Sequence, residues 1–110
     1  MVLVAIPCDG KGLDARVSHH FGRAPAFALV EVGGSAARVK EFVDNPTAGQ
    51  HVHGALPRFL ASLGVEVVAC LGIGPRAVEF LKLLGIRVVR LPPNVVTVAD
   101  AVNALPALLR

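Results

Sequence analysis

The stretch Val65-Glu66-Val67-Val68-Ala69-Cys70-Leu71-Gly72-Ile73-Gly74-Pro75-Arg76 decides the fold. Val65 to Cys70 is a short apolar run rich in β-branched residues, which predicts a buried strand. Leu71 to Gly74 reads as a glycine-bearing loop, and Pro75 suits the first position of a helix, where a missing N–H costs nothing. Downstream, Ala77, Phe80, Leu81 and Leu84 recur on one helical stripe closed by Gly85, and Ile86 to Leu91 reads as the next strand. Upstream, Leu56, Phe59, Leu60 and Leu63 make another stripe, which opens close to Pro57 and stops at Gly64. Beyond the Pro92-Pro93-Asn94 turn, Thr97 predicts a capped last helix burying Val98, Val102 and Leu105, with Pro106 expected to end or kink it. Such alternation demands parallel strands joined by right-handed crossovers.

The first half has a different rhythm. Val2 to Ile6 is continuously apolar, as a strand covered on both faces is. Phe27 to Val32 and Ala37 to Val43 flank Gly33-Gly34 and predict a hairpin. Arg38 and Lys40 place its second strand at an exposed edge. An antiparallel meander followed by parallel crossovers gives an α/β fold with a five-stranded mixed sheet of order 3-2-1-4-5, strand 2 antiparallel, and three helices. The whole of 1–110 reads as one domain, with no repeat and no internal linker. In this topology strands 1, 3, 4 and 5 end at one edge of the sheet. Cys8, the His19 to Arg23 loop, Asn45, His51, His53, Cys70 and Gly72 to Arg76 are expected to gather there, where open α/β sheets bind ligands.

Composition narrows the class of function. Hydrophobic residues are 54% of the 110 and charged residues 17%, a balance that closes a core and excludes disorder. The opening apolar run stops at Pro7, too short for a signal core or a membrane span, so a cytoplasmic address is expected. The net charge of +3 is dispersed, and with no Trp or Tyr to stack bases, nucleic acid is not the expected partner. Cys8 and Cys70 read as free thiols. A monomer or a weak homodimer through the edge strand is expected.

About twenty residues, Pro7 to Pro25, separate the first two strands, a length that marks a functional loop. Val17, Phe21 and Pro25 give this loop something to bury. It carries Val17-Ser18-His19-His20-Phe21-Gly22-Arg23-Ala24. Imidazole and thiolate are ligands for zinc, copper and iron-sulfur species. Two cysteines without a Cys-x-x-Cys pair cannot furnish the four thiolates of an ordinary cluster, so most of the coordination would come from the ligand's own atoms. Gly72-Ile73-Gly74-Pro75-Arg76 supplies unpaired N–H groups at a helix start, suited to an anion, with Arg23 and Arg76 adding charge. It lacks the Lys-Ser/Thr of a phosphate-binding loop and the third glycine of a dinucleotide fingerprint. Asp9, Asp14 and Asp44 do not form the carboxylate cluster of a two-metal nuclease. A thiol-dependent enzyme pairing Cys8 with His20 is an alternative, and so is a metal-independent module docking a partner at the loop edge.

Taken in order, Pro7-Cys8-Asp9-Gly10, the Ser18-His19-His20-Phe21-Gly22-Arg23 run, Asn45-Pro46, His53-Gly54, Gly72-Ile73-Gly74-Pro75-Arg76 and Leu84-Gly85-Ile86 resemble the dinitrogenase iron-molybdenum cofactor biosynthesis family over nearly the whole chain. The resemblance implies an RNase H-like fold and a non-catalytic protein that holds or ferries an iron-molybdenum or iron-sulfur cluster. One small member type of that family holds a molybdenum-copper sulfide cluster instead. It further implies His20, of the His-Phe-Gly motif, as principal metal ligand, and His53 at the family's His-Gly position. Cys8 and His19 stand as candidate helpers from the reading of the residues. Arg23, Asn45, Gly72, Gly74 and Arg76 are the expected cradle of the cluster, with cluster assembly or maturation proteins as partners.

Overall fold

The computed structural model describes residues 1–49, 52 and 54–110. Five strands, β1 (Val2–Cys8), β2 (Ala26–Gly33), β3 (Ala36–Asp44), β4 (Val67–Cys70) and β5 (Arg87–Arg90), form one sheet of order β3-β2-β1-β4-β5. The pairs β1–β2 and β2–β3 are antiparallel, and β1–β4 and β4–β5 are parallel. Three helices, α1 (Ala55–Ser62), α2 (Pro75–Leu83) and α3 (Val98–Leu108), cover the two faces.

The alternation of side chains along a strand divides the core in two. Val4, Ile6, Ala28 and Val30 point to the face covered by Val98, Val102 and Leu105 of α3. Ala5, Phe27, Leu29 and Val68 point to the opposite face, against Leu56 and Leu60 of α1 and Leu81 of α2. A strand sealed on both sides has to be apolar throughout, and Val4 to Cys8 are all buried. β3 lies at the edge with alternating exposure. Its register slips between Leu29 and Val30, which pair with Glu41 and Val39, so Lys40 is an extra residue bulged out of the ladder. A bulge carrying a lysine works against strand-to-strand pairing with a second copy. The hairpin turns through Gly34, whose φ of 59° is the left-handed conformation that favours glycine.

Two local expectations need correcting. Pro106 lies inside α3 and does not end it. In the last turn a proline forfeits one backbone bond, while the Leu109 N–H still reaches the Leu105 carbonyl and the fully buried Leu105 anchors the turn. Pro25 is exposed, and Ala24 takes the place in the core expected of it.

α3 begins with a reciprocal cap. The Asp100 N–H donates to Thr97 Oγ1 (3.2 Å), and Asp100 Oδ2 accepts from the Thr97 and Val96 N–H groups (3.0 Å each). The Val98 and Ala99 N–H groups donate to the carbonyls of Ala15 and Leu13, so the long loop closes this helix end. The bonds from Thr97 and Val96 hold the Asp100 carboxyl below the usual carboxylate range. A folded value below the unfolded one stabilises above the unfolded value, and that stability is lost as pH falls through the folded one. In thermal unfolding followed against pH, the melting temperature of Asp100→Asn is expected to depend less on acid than that of the parent.

Candidate functional site

The loop between β1 and β2 first runs along the α3 face. The Ser18 N–H donates to the Pro7 carbonyl and the Val17 N–H to the Val96 carbonyl (2.9 Å each). Val17 belongs to the α3-side core, whereas Phe21 and Ala24 belong to the other. Residues 18 to 20 must therefore cross the carboxyl edge of the sheet, and His19 and His20, at that crossing, are exposed.

The crossing is pinned on both sides. Ser18 Oγ accepts from the His20 N–H (3.2 Å) and donates to the His20 carbonyl (3.1 Å). Phe21 opens a single 3-10 turn, Phe21–Arg23, and sets its ring edge-to-face on Phe27 with centroids 5.7 Å apart. The Phe21 N–H donates to the Gly72 carbonyl (3.1 Å), joining the histidine loop to the β4–α2 loop. At Gly72 a Cβ would run into the His19 carbonyl, so only glycine lets the two loops meet so closely.

The gathering of the sheet-edge loops expected from topology is present, with exceptions. His19, His20, Phe21, Gly22, Arg23, Gly72 and Gly74 line a cleft of about 500 Å³. A neighbouring lobe of about 270 Å³ shares Phe21, Gly22 and Gly74 and adds Thr47, Arg76 and Phe80. His51 and His53 lie outside the described residues. Cys8 and Cys70 stay out of the cleft and apart from each other, fully buried on opposite faces of the sheet. Burial pushes the Cys8 thiol up to about 11, and burial also raises that of Cys70, so neither is poised as a thiolate. Cys8 as a helper ligand, and as the nucleophile of a thiol enzyme, has no support in this placement.

Asn45, expected in the cradle, is committed elsewhere. Its Nδ2 donates to the Ala24 carbonyl (2.8 Å), its N–H donates to the Pro25 carbonyl (2.9 Å), and its Oδ1 accepts from the Thr47 N–H (2.9 Å) and hydroxyl (2.8 Å). It clamps the end of β3 to the histidine loop. Phe80, which the sequence does not mark as a site residue, also lines the cleft. Phe80 reads as an ordinary stripe residue, yet its ring covers Gly54, where a Cβ would have no room.

The wall chemistry suits an anion. Among the described residues, no Asp or Glu lines either lobe. Both helices that begin beside the cleft have glycine N-caps, Gly54 and Gly74, without a side-chain cap bond, in contrast to α3. Their helix dipoles put positive potential there. Gly22 and Gly74 have open space where a Cβ would stand, and neither has positive φ. Nothing among the described residues demands glycine at these two positions, and the room they leave is part of the cleft. Among the described residues no group of three or more His, Cys, Asp or Glu comes together.

The family model described as dinitrogenase iron-molybdenum cofactor matches residues 2–107. An uncharacterised protein of Methanocaldococcus jannaschii is 34% identical over 91 residues, covering 80% of this chain and 73% of that protein. The apo form of the orange protein from Desulfovibrio gigas superposes with a TM-score of 0.77 at 34% identity, over 94% of this chain and 86% of that one. A candidate NifB protein from Thermotoga superposes with a TM-score of 0.76 at 33% identity, over 97% and 89%.

Two outcomes check this site. Asn45→Ala leaves the buried Ala24 carbonyl unpaired and is expected to cost about 1–3 kcal/mol in urea unfolding. Iodoacetamide at neutral pH is expected to label neither Cys8 nor Cys70 in the native protein and both in denaturant, as read by mass spectrometry.

Proposed function

The chain belongs to the dinitrogenase iron-molybdenum cofactor family, and from that premise we propose that it is a small cytoplasmic carrier of an anionic metal-sulfide cluster and not an enzyme. The observation that carries this reading is the cleft: two exposed imidazoles beside Arg23 and Arg76, open glycine walls, and no acidic side chain among its described residues. A sulfide cluster that brings most of its own ligands needs from the protein a bond or two, neutralising charge and space. An imidazole of His20, with His19 as neighbour, supplies the bond. Arg23, Arg76 and the starts of α1 and α2 face the negative sulfides. Gly22 and Gly74 leave the volume the cluster occupies, and His53 stays a candidate ligand from the sequence.

The relatives support the cargo class. The family name points to an iron-molybdenum cofactor, and an iron-sulfur precursor or a molybdenum-copper sulfide cluster has the same anionic surface. Cluster assembly or maturation proteins are the partners such a carrier would serve, as monomer or weak homodimer. The sheet order and three helices support an RNase H-like assignment, with 1–110 acting as one cofactor-binding domain. Among the described residues no helix is long and apolar enough to cross a membrane.

The test is anaerobic mixing with tetrathiomolybdate or a preformed iron-sulfide cluster, followed by gel filtration and metal analysis of the protein peak. Stoichiometric metal is expected with the parent, and roughly 10–100-fold weaker retention with His20→Ala, the loss typical of a disturbed metal site. Equal retention by His20→Ala would remove His20 as ligand. No metal on the parent would overturn the carrier reading in favour of a metal-independent docking module.

A further inference from the structure

We propose that Gly72 is a positioning residue for cargo binding: it touches the His19–His20 segment from beneath, and only its missing side chain allows that segment to lie where both imidazoles border the cleft. The inference rests on the carrier reading, which it deepens by assigning to a residue outside the ligand set the control of the ligands' place.

Three observations converge. At Gly72, unlike the neighbouring Gly74, an added Cβ would collide with the His19 carbonyl, a backbone atom that cannot swing aside as a side-chain tip can. The backbone of Gly72 also holds the same segment by accepting from the Phe21 N–H (3.1 Å). Its φ is not positive, so conformation does not explain the glycine. One residue thus sets both the closest approach and the hydrogen bond of the loop bearing the histidines. Within the segment, the Ser18 hydroxyl bonds both the His20 N–H and the His20 carbonyl. A backbone shift at His20 has to break one of these contacts. A methyl group at position 72 must push the His19 carbonyl away, lengthen the bond to Phe21 and shift the imidazoles. A ligand group misplaced in this way loses affinity although every ligating residue is present.

The experiment compares the parent, Gly72→Ala, Gly74→Ala and Ser18→Ala in two readouts. The first, without cargo, is the Phe21 amide proton shift and its exchange rate. Gly72→Ala is expected to move the signal upfield and speed exchange, whereas Gly74→Ala leaves it in place. The second is retention of tetrathiomolybdate through anaerobic gel filtration. Gly72→Ala is expected to retain roughly 10–100-fold less than the parent, with circular dichroism matching the parent. An unmoved Phe21 amide in Gly72→Ala would overturn the contact. A moved amide with parental retention would overturn the positioning role while leaving the carrier reading intact. A parent that retains no metal would overturn the carrier reading itself, and this proposal with it. Should Gly72→Ala fail to fold, Ser18→Ala decides: reduced retention supports positioning of the loop, and parental retention overturns it.

Discussion

The carboxyl edge of the sheet depends on how the chain crosses from one face to the other between Val17 and Phe21. Val17 is held in the α3-side core and Phe21 in the α1–α2 side, each almost fully buried. Three residues must span the edge, and of these Ser18 is buried while His19 and His20 are exposed. A small domain has few places where polar, ligating side chains can be both exposed and held still, and a short span between two apolar anchors is one of them. Burying the two anchors, at about 1.5–3 kcal/mol each, offsets the entropy lost in ordering the span. The Asn45 clamp, the Ser18 hydroxyl and the Gly72 contact tie its backbone further.

Charge is distributed by the same geometry. Parallel strands send α1 and α2 away from this edge, so both helices start beside the histidine crossing. α3 starts near it as well, but its end is closed by Asp100, Thr97 and the carbonyls of Leu13 and Ala15. Two helix starts and two guanidinium-bearing side chains thereby border one cleft. The molecule as a whole has a net charge of only +3, so the charge that favours an anion here is local and not bulk charge.

The fold was legible because its signals are local and periodic. Helical stripes, a diglycine turn and a continuous apolar first strand set the element order, and the alternation of the second half fixed the parallel pairs. What stayed hidden depended on register. Val4 pairs with Val67 and faces the same side, so Cys8, four residues on, and Cys70, three residues on, must point to opposite faces. Sequence places both near one edge and cannot give that parity. Asn45 looked like a ligand because a buried polar residue at a sheet edge and a binding residue have the same composition, and only its partners tell them apart. Gly72 and Gly74 look alike in sequence, yet one glycine is required by a neighbouring backbone and the other by nothing among the described residues. The histidine crossing was visible as a motif, while its rigidity was not, since that comes from Phe27, Asn45 and Gly72, which are remote in sequence.

The most direct test of the account is a two-dimensional amide NMR titration of the protein with tetrathiomolybdate, a diamagnetic sulfide anion. Anion binding in the cleft predicts shifts concentrated on residues 19 to 23 and 72 to 77, saturating at one equivalent and leaving the amides of α3 unchanged. Shifts spread along α3 or the β3 edge, or none at all, would contradict it.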